Sequence, residues 1–182
     1  MCRLPDRWFS QVFTVSEQAE ETWRLIYRYK YDEEKHLADE LGRMLAAFLD
    51  DHRAELQRFD LLTPVALFIG PDAPRLWDYL RLIVAAAERI DESWPFATDL
   101  ITKVRPTGRF LGTGVEERRT VSEGELRAAL RVPDPRRVEG KRVLVFDDAY
   151  SEGFTMREMA RALRQAGAVE VAGLVLVRRK GA

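Results

Sequence analysis

The sequence has little cysteine and no excess charge of either sign, and each shortage excludes a class of protein. Its single cysteine, Cys2, leaves no pair for an intramolecular disulfide and no thiolate cluster for a metal ion. Lysine and arginine total 29 against 30 acidic residues, so a net charge of -1 provides no bulk positive field for nucleic acid. We therefore do not expect nucleic acid to be bound directly.

Long hydrophobic runs are also missing. No apolar run approaches the roughly 20 residues that span a bilayer, and the first residues, "MCRLPDRWFS", lack the apolar segment of a signal peptide. We expect a cytoplasmic chain without membrane contact. A length of 182 residues with 46% hydrophobic content suits a single domain over residues 1–182.

The first third of the chain is predicted to be helical. Thr14 and Glu17 form a capping-box pattern, which predicts a first helix that ends near Tyr31. A second, amphipathic helix is predicted to continue to about Gln57, because its leucines recur with the helical period. We therefore expect residues 1–57 to form a helical cap region.

Residues 58–182 alternate between strand and helix patterns. The sequence predicts strands at "DLLTPVALFI", "ATDLITKV", "RVLVF" and "VEVAGLVLV", and the apolar run of the first predicts burial on both faces. One helix between them is predicted to begin at Asp72, and another is predicted to be capped by Ser122 and Glu125. This alternation predicts an α/β fold with a mainly parallel, twisted sheet and helices on both faces. Residues 105–120 lie between "ATDLITKV" and "RVLVF". They are rich in glycine and arginine and are predicted to form a flexible loop.

The stretch "VLVFDDAYSEGFTMRE", from Val143 to Glu158, carries the clearest functional pattern. Asp147 and Asp148 lie at the carboxyl end of a predicted buried strand, where open α/β sheets bind their ligands. Two adjacent carboxylates there need a partner, such as ribose hydroxyls or Mg²⁺. The residues that follow supply a glycine and backbone N–H groups at a helix N-terminus, which is an anion-binding arrangement. The pattern therefore predicts a phosphorylated ribose as ligand.

Other protein classes also place an acidic pair after an apolar strand. A P-loop NTPase requires G-x-x-x-x-G-K-[ST], whereas here Gly140 and Lys141 are followed by Arg142. A phospho-receiver domain would carry its acidic pair early in the chain, whereas here one helix and one strand follow it. A strand end with a solvated acidic turn is left open as a purely structural interpretation.

The stretch "VLVFDDAYSEGFTMREMARALRQAGA" resembles the ribose-phosphate signature of type I phosphoribosyltransferases, in which two acidic residues precede a Thr-Thr-Gly-x-Thr loop. Further stretches are similar to the ComF-like, competence-associated branch: "RLIYRYKYDEEKHLADELGRMLAAFL", "DLLTPVALF" and "LITKVRPTGRFLGTGVEERR". We expect the zinc-binding N-terminal segment of many ComF-like proteins to be missing, in line with the single cysteine.

The resemblance implies a set of contacts to phosphoribosyl pyrophosphate (PRPP). Asp147 and Asp148 would contact the ribose hydroxyls and Mg²⁺, the expected cofactor. Pyrophosphate would lie at the loop from Ala66 to Asp72. The 5-phosphate would be bound by Ala149, Tyr150, Ser151, Glu152, Gly153, Phe154 and Thr155. The arginines that would close over the leaving group are Arg105, Arg109, Arg118 and Arg119.

The implied function is transfer of phosphoribose between PRPP and a nucleobase-like acceptor, with pyrophosphate as co-product. PRPP or a ribose-5-phosphate nucleotide is the expected partner, and a homodimer is left open. Glu152 replaces the second threonine of the phosphate loop, and a carboxylate that points inward there repels a phosphate. The alternative is therefore a catalytically inactive PRPP- or nucleotide-binding regulator, or a DNA-uptake accessory like the ComF-like branch.

Overall fold

A four-stranded parallel sheet forms the centre of the molecule. The computed structural model describes residues 7–16, 19–73, 76–108 and 114–178. The sheet has the order β1-β6-β5-β2, and its strands are β1 (Val12–Thr14), β2 (Leu61–Pro64), β5 (Arg142–Tyr150) and β6 (Glu170–Arg178). A separate antiparallel pair joins β3 (Thr102–Lys103) to β4 (Leu130–Arg131). The predicted α/β class with a mainly parallel sheet is confirmed.

Helices pack on both faces of this sheet. Their bounds are α1 (Ala19–Tyr31), α2 (Ala38–Asp51), α3 (Arg53–Leu56), α4 (Tyr79–Glu88), α5 (Val115–Val121), α6 (Arg127–Ala129) and α7 (Phe154–Gln165). A π-helical turn, Ser122–Leu126, joins α5 to α6, and single 3₁₀ turns lie at Lys35–Leu37 and Pro135–Arg137. None of the helices described is both long and apolar enough to cross a membrane.

The two faces of the sheet meet different helices. A Cβ atom built on Gly173 would lie 3.2 Å from the Met156 sulfur, so α7 covers that face closely. On the opposite face, Lys30 of α1 contacts Asp148 of β5. Because side chains alternate along a strand, neighbouring residues of β5 face different helices. The middle of β5 is apolar at every position and fully buried, as the unbroken apolar run predicts.

Several element boundaries near the N-terminal half differ from the sequence prediction. Thr14 does not cap a helix but pairs with Val175 in the sheet, and Glu17 lies outside the described residues. The predicted cap region therefore contributes an edge strand as well as helices. The helix expected from Asp72 begins at Tyr79 instead, because the Asp78 carboxylate accepts a hydrogen bond from the Arg81 N–H at 3.0 Å and caps it.

The two predicted segments before β5 also differ. The strand expected at "ATDLITKV" is reduced to β3 and a single bridge between Phe96 and Leu62. The loop expected over residues 105–120 is helical from Val115, and Ser122 continues that helix rather than capping a new one. The helix is fixed because the Ser122 hydroxyl donates to the Phe154 carbonyl at 3.3 Å and is itself buried.

Close packing of α2 on α4 generates a stability prediction. A Cβ atom at Gly42 would lie 2.4 Å from the Ala86 Cβ, whereas one at Gly124 would meet nothing within 4 Å. We expect Gly42→Ala to lower the free energy of unfolding by about 1–3 kcal/mol through overpacking. Gly124→Ala, the matched control, should leave it unchanged or raise it by up to about 1 kcal/mol, because alanine favours the helix. Urea unfolding measures both, and equal destabilisation by the two variants would contradict the packing.

Candidate functional site

The loop between β5 and α7 forms a tight turn that requires glycine. Gly153 precedes the first residue of α7 and has a φ of 81°, in the left-handed region. A Cβ atom there would lie 2.4 Å from the Tyr150 hydroxyl oxygen, so a larger residue is excluded for a second reason. The first turn of a helix leaves N–H groups without intrahelical partners and carries a partial positive charge. The N-terminal end of α7 can therefore bind an anion.

A cavity of about 60 Å³ lies at this helix end. It is lined by Arg118, Asp147, Ala149, Tyr150, Ser151, Glu152, Gly153, Phe154, Thr155 and Met156. The structure thus brings the whole predicted phosphate loop together with one predicted acidic residue and one predicted arginine. These assignments were made from sequence, and here they share a single concave surface.

Asp147 is the acidic residue on the cavity side. It is partly buried, and burial raises its pKa well above the usual aspartate value, with the neighbouring Asp148 charge raising it further. Its Oδ1 accepts a hydrogen bond from the Asp148 N–H at 2.9 Å. Asp147 is therefore oriented by the backbone and can accept a hydrogen bond from a ligand hydroxyl.

Asp148 has a different environment on the other face of the sheet. Its Oδ2 accepts a hydrogen bond from the Lys30 ammonium at 2.6 Å, and the exposed fractions of the two side chains are 6% and 10%. Burial lowers the pKa of Lys30, but Asp148, together with Tyr79 and Asp147, outweighs burial and the net shift is upward. Sequence reasoning missed Lys30. The available signal was a lysine between two tyrosines in "YRYKY".

This arrangement does not fit an Mg²⁺ ion held jointly by the two carboxylates. Asp147 and Asp148 face opposite sides of β5, and Asp148 already binds an ammonium group. In the part of the chain that the structure describes, no group of three or more histidine, cysteine, aspartate or glutamate side chains is placed to hold a metal ion.

Glu152, the residue that departs from the phosphate-loop pattern, lies inside the cavity wall. Its Oε1 lies 2.9 Å from the Arg118 guanidinium, and the exposed fractions of Glu152 and Arg118 are 16% and 17%. The Ser151 hydroxyl donates to its Oε2 at 2.7 Å. The carboxylate therefore points inward, and the arginine balances its charge.

A buried charge cluster holds the helix that carries Arg118. Glu158 of α7 has no exposed surface. Its Oε2 accepts hydrogen bonds from Arg127 and Arg161, both at 2.9 Å, and its Oε1 accepts one from Arg157 at 3.1 Å. Because Arg127 belongs to α6, the cluster ties the α5–α6 segment to α7. Arg118 is thus presented by an anchored helix rather than by a flexible loop.

Arg105 and Arg119, the other described members of the predicted arginine set, do not line this cavity. Among the described loop arginines, Arg118 is the one that lines the cavity. Arg119 is exposed and pairs with Glu116 at 3.0 Å, and Arg105 is exposed. Arg109 lies outside the described residues.

A second cavity, of about 250 Å³, lies beyond the carboxyl end of β2. Residues 66–69 of the predicted pyrophosphate loop line it. The full lining is Pro64, Val65, Ala66, Leu67, Phe68, Ile69, Asp78, Arg81, Thr98, Ile101, Thr102 and Lys103. Burial lowers the pKa of Lys103, whose ammonium donates to the Thr107 hydroxyl at 2.7 Å. Two basic residues, Arg81 and Lys103, therefore border a cavity that sequence reasoning linked to an anion.

Comparison with known families gives a match over the part of the chain that holds this site. Residues 90–182, about half of the chain, match the model of the phosphoribosyl transferase domain. A search of curated protein sequences returned no match.

Comparison with solved structures returns matches at low overall similarity. The allosteric regulatory enzyme of purine biosynthesis is 27% identical with a TM-score of 0.43, and glutamine PRPP amidotransferase from B. subtilis is 27% identical with a TM-score of 0.45. Each alignment covers 76% of this chain and 25% of the other, so this chain spans about a quarter of those proteins. A hypoxanthine phosphoribosyltransferase from Trypanosoma cruzi is 14% identical, with a TM-score of 0.41 and coverage of 88% and 67%.

The buried Glu158 cluster gives a stability prediction that depends on pH. Burial raises the pKa of Glu158, but Arg127 and Arg161 outweigh burial, so its pKa in the folded state lies below 4.5. The ionised carboxylate therefore stabilises the fold above that pH, and this contribution is lost as pH falls through the folded-state pKa. We expect Glu158→Gln to lower the free energy of unfolding by about 3–5 kcal/mol at neutral pH, because buried Arg157 loses a partner.

Urea unfolding at a series of pH values measures this difference. The gap in the free energy of unfolding between wild type and Glu158→Gln should be largest at neutral pH and should shrink below about pH 4.5. Glu92→Gln, an exposed glutamate on another surface, serves as the matched control and should change little. A gap that stays constant down to strongly acidic pH would show that the ionised carboxylate does not stabilise the cluster.

Proposed function

The chain belongs to the phosphoribosyl transferase domain family, and on that premise we propose that residues 149–155 bind the 5-phosphate of PRPP or of a ribose-5-phosphate nucleotide. The observation that carries this proposal is the cavity at the start of α7, where the left-handed Gly153 directs the first helical turn toward a concave surface shared with Asp147. Both a phosphate and a ribose would find partners there.

The phosphate would be held mainly by backbone donors. The first-turn N–H groups of α7 need an acceptor, and the positive end of the helix dipole favours an anion. Arg118 supplies a guanidinium that can bind a phosphate through two parallel hydrogen bonds. The ribose would lie toward β5, where the Asp147 carboxylate can accept a hydrogen bond from a hydroxyl.

Phosphate binding requires Glu152 to move or to stay neutralised. Two unit negative charges about 4 Å apart repel by roughly 4 kcal/mol at an effective dielectric constant near 20. Arg118 pairs with Glu152 at 2.9 Å. We infer that Arg118 exchanges its carboxylate partner for the phosphate while Glu152 rotates toward solvent. Weakly charged ligands would then be excluded from the loop, because only a strongly charged anion can replace Glu152 as the partner of Arg118.

The second cavity is our candidate for pyrophosphate. Lys103 and Arg81 border it, and positive groups there would stabilise the charge that grows on the leaving group. Mg²⁺ would enter as part of the Mg·PRPP substrate. The proposed reaction transfers phosphoribose between PRPP and a nucleobase-like acceptor, with pyrophosphate as co-product.

The inward Glu152 favours a second candidate function. Arg118 and Ser151 hold this carboxylate inside the proposed phosphate loop, so a phosphate would bind only when Glu152 releases Arg118. A regulator requires such conditional binding. The second candidate is therefore a catalytically inactive PRPP- or nucleotide-binding protein of the ComF-like branch. Pyrophosphate release from PRPP in a screen of nucleobases separates the two candidates, because the enzyme releases it with at least one base and the regulator with none.

Isothermal titration of ribose 5-phosphate and of Mg·PRPP tests the site itself. We expect wild type to bind both, and Asp147→Asn to weaken binding by about tenfold, the loss of roughly one good hydrogen bond. Glu152→Gln should strengthen binding by about tenfold, because it removes a repulsive charge from the loop. Arg118→Met should weaken it.

Glu92→Gln is the matched control for Glu152→Gln, since it removes an exposed glutamate away from the cavity. Asp147→Asn should keep or raise the thermal midpoint, because it replaces a carboxylate whose charged form burial disfavours. A loss of binding in that variant would then not result from unfolding. If neither wild type nor Glu152→Gln binds either ligand, the proposed phosphate site is wrong.

A further inference from the structure

We propose that Lys30 is the cation that holds Asp148, so that ribose 5-phosphate binds to this protein without a metal ion. The inference rests on the proposed function, because it concerns the acidic pair of the same site. It assigns to a residue of the N-terminal helix a role that sequence reasoning gave to Mg²⁺. It also makes Lys30 a positioning residue for the ligand contact made by Asp147.

The first support is the environment of the ammonium group. Lys30 Nζ lies 2.6 Å from Asp148 Oδ2, and both side chains are almost fully buried. The same nitrogen lies 4.5 Å from the centre of the Tyr79 ring, which provides a cation–π contact. A carboxylate and an aromatic face thus bind one ammonium together. An Mg²⁺ ion at Asp148 would have to displace that ammonium or lie beside it.

The second support is the rigidity of the helix that delivers Lys30. Its neighbour Tyr29 has no exposed surface and donates a hydrogen bond to the Tyr79 carbonyl at 2.7 Å. Ile26, one turn earlier on α1, is also fully buried. A side chain on a helix fixed in this way keeps its position, which is the condition for a preorganised site.

The third support is the connection from Asp148 to the cavity. The Asp148 carboxylate faces α1, while its backbone N–H donates to Asp147 Oδ1 at 2.9 Å. Fixing Asp148 through Lys30 therefore fixes the donor that orients the Asp147 carboxylate in the cavity wall. Lys30 acts on the ligand through these two residues and does not need to touch it.

Titration of ribose 5-phosphate with excess Mg²⁺ and with EDTA is the first arm of the test. Wild type should bind with affinities that agree within about twofold in the two buffers. Lys30→Met should bind about tenfold more weakly in EDTA and recover part of the loss with Mg²⁺, which can then approach Asp148. Lys30→Arg should retain binding that does not depend on Mg²⁺, because the positive charge remains.

Lys141→Met is the matched control, since it removes an exposed lysine on a different surface and should behave as wild type. A wild type that binds ribose 5-phosphate with Mg²⁺ but not in EDTA would overturn the inference. So would Lys30→Met binding like wild type in EDTA. Should Lys30→Met fail to fold, wild type and Lys30→Arg decide the question by their dependence on Mg²⁺ alone.

Mn²⁺ binding in the absence of sugar phosphate is the second arm, read by electron paramagnetic resonance of the free ion. We expect wild type to have no Mn²⁺ site at Asp148, so that Asp148→Asn leaves Mn²⁺ binding unchanged. An Mn²⁺ site that is present in wild type and lost in Asp148→Asn would contradict it. This arm does not depend on ribose 5-phosphate, so it separates a failure of the Lys30 role from a failure of the proposed function, which would appear as no sugar-phosphate binding in either buffer.

Discussion

Two adjacent carboxylates at the end of a buried strand are the constraint on which the site depends. A charged group removed from water must be met by an opposite charge or by hydrogen-bond donors. The strand separates the two side chains, so each finds its partner on a different face of the sheet. Asp148 meets the Lys30 ammonium under α1, and Asp147 remains at the cavity with a backbone N–H on one oxygen. One carboxylate is thus neutralised by a lysine, and the other is available to a ligand.

The same requirement governs the charges around the proposed phosphate loop. Glu158 of α7 binds three arginines, and the one outside that helix, Arg127, ties the α5–α6 segment to it. Arg118 is thereby held at the loop, where it neutralises Glu152. The charges of this region form paired sets with little surplus, which is consistent with a chain whose net charge is -1. An incoming phosphate must therefore compete for Arg118 rather than simply add to a positive surface.

The sequence was informative where the pattern is local. An unbroken apolar run predicted β5, and a short loop with one glycine predicted the turn and the start of α7, because local backbone conformation decides each of them. Partners distant in sequence could not be predicted in this way. Lys30 and Asp148 are 118 positions apart, and no periodicity links them. The arginines around Glu158 come from two helices, α6 and α7, so no local pattern pairs them with it. Competing N-caps explain the helix start at Tyr79, and helix docking explains why residues 115–121 are not a loop.

A crystal structure of the protein with bound ribose 5-phosphate would show directly whether the start of α7 binds the phosphate. We expect the phosphate within hydrogen-bond distance of the N–H groups of Gly153, Phe154 and Thr155, with Arg118 moved from Glu152 to the phosphate and Asp147 at a ribose hydroxyl. Lys30 should still contact Asp148. A phosphate bound elsewhere, with the Arg118–Glu152 pair unchanged and the loop without ligand, would show that the proposed site is wrong.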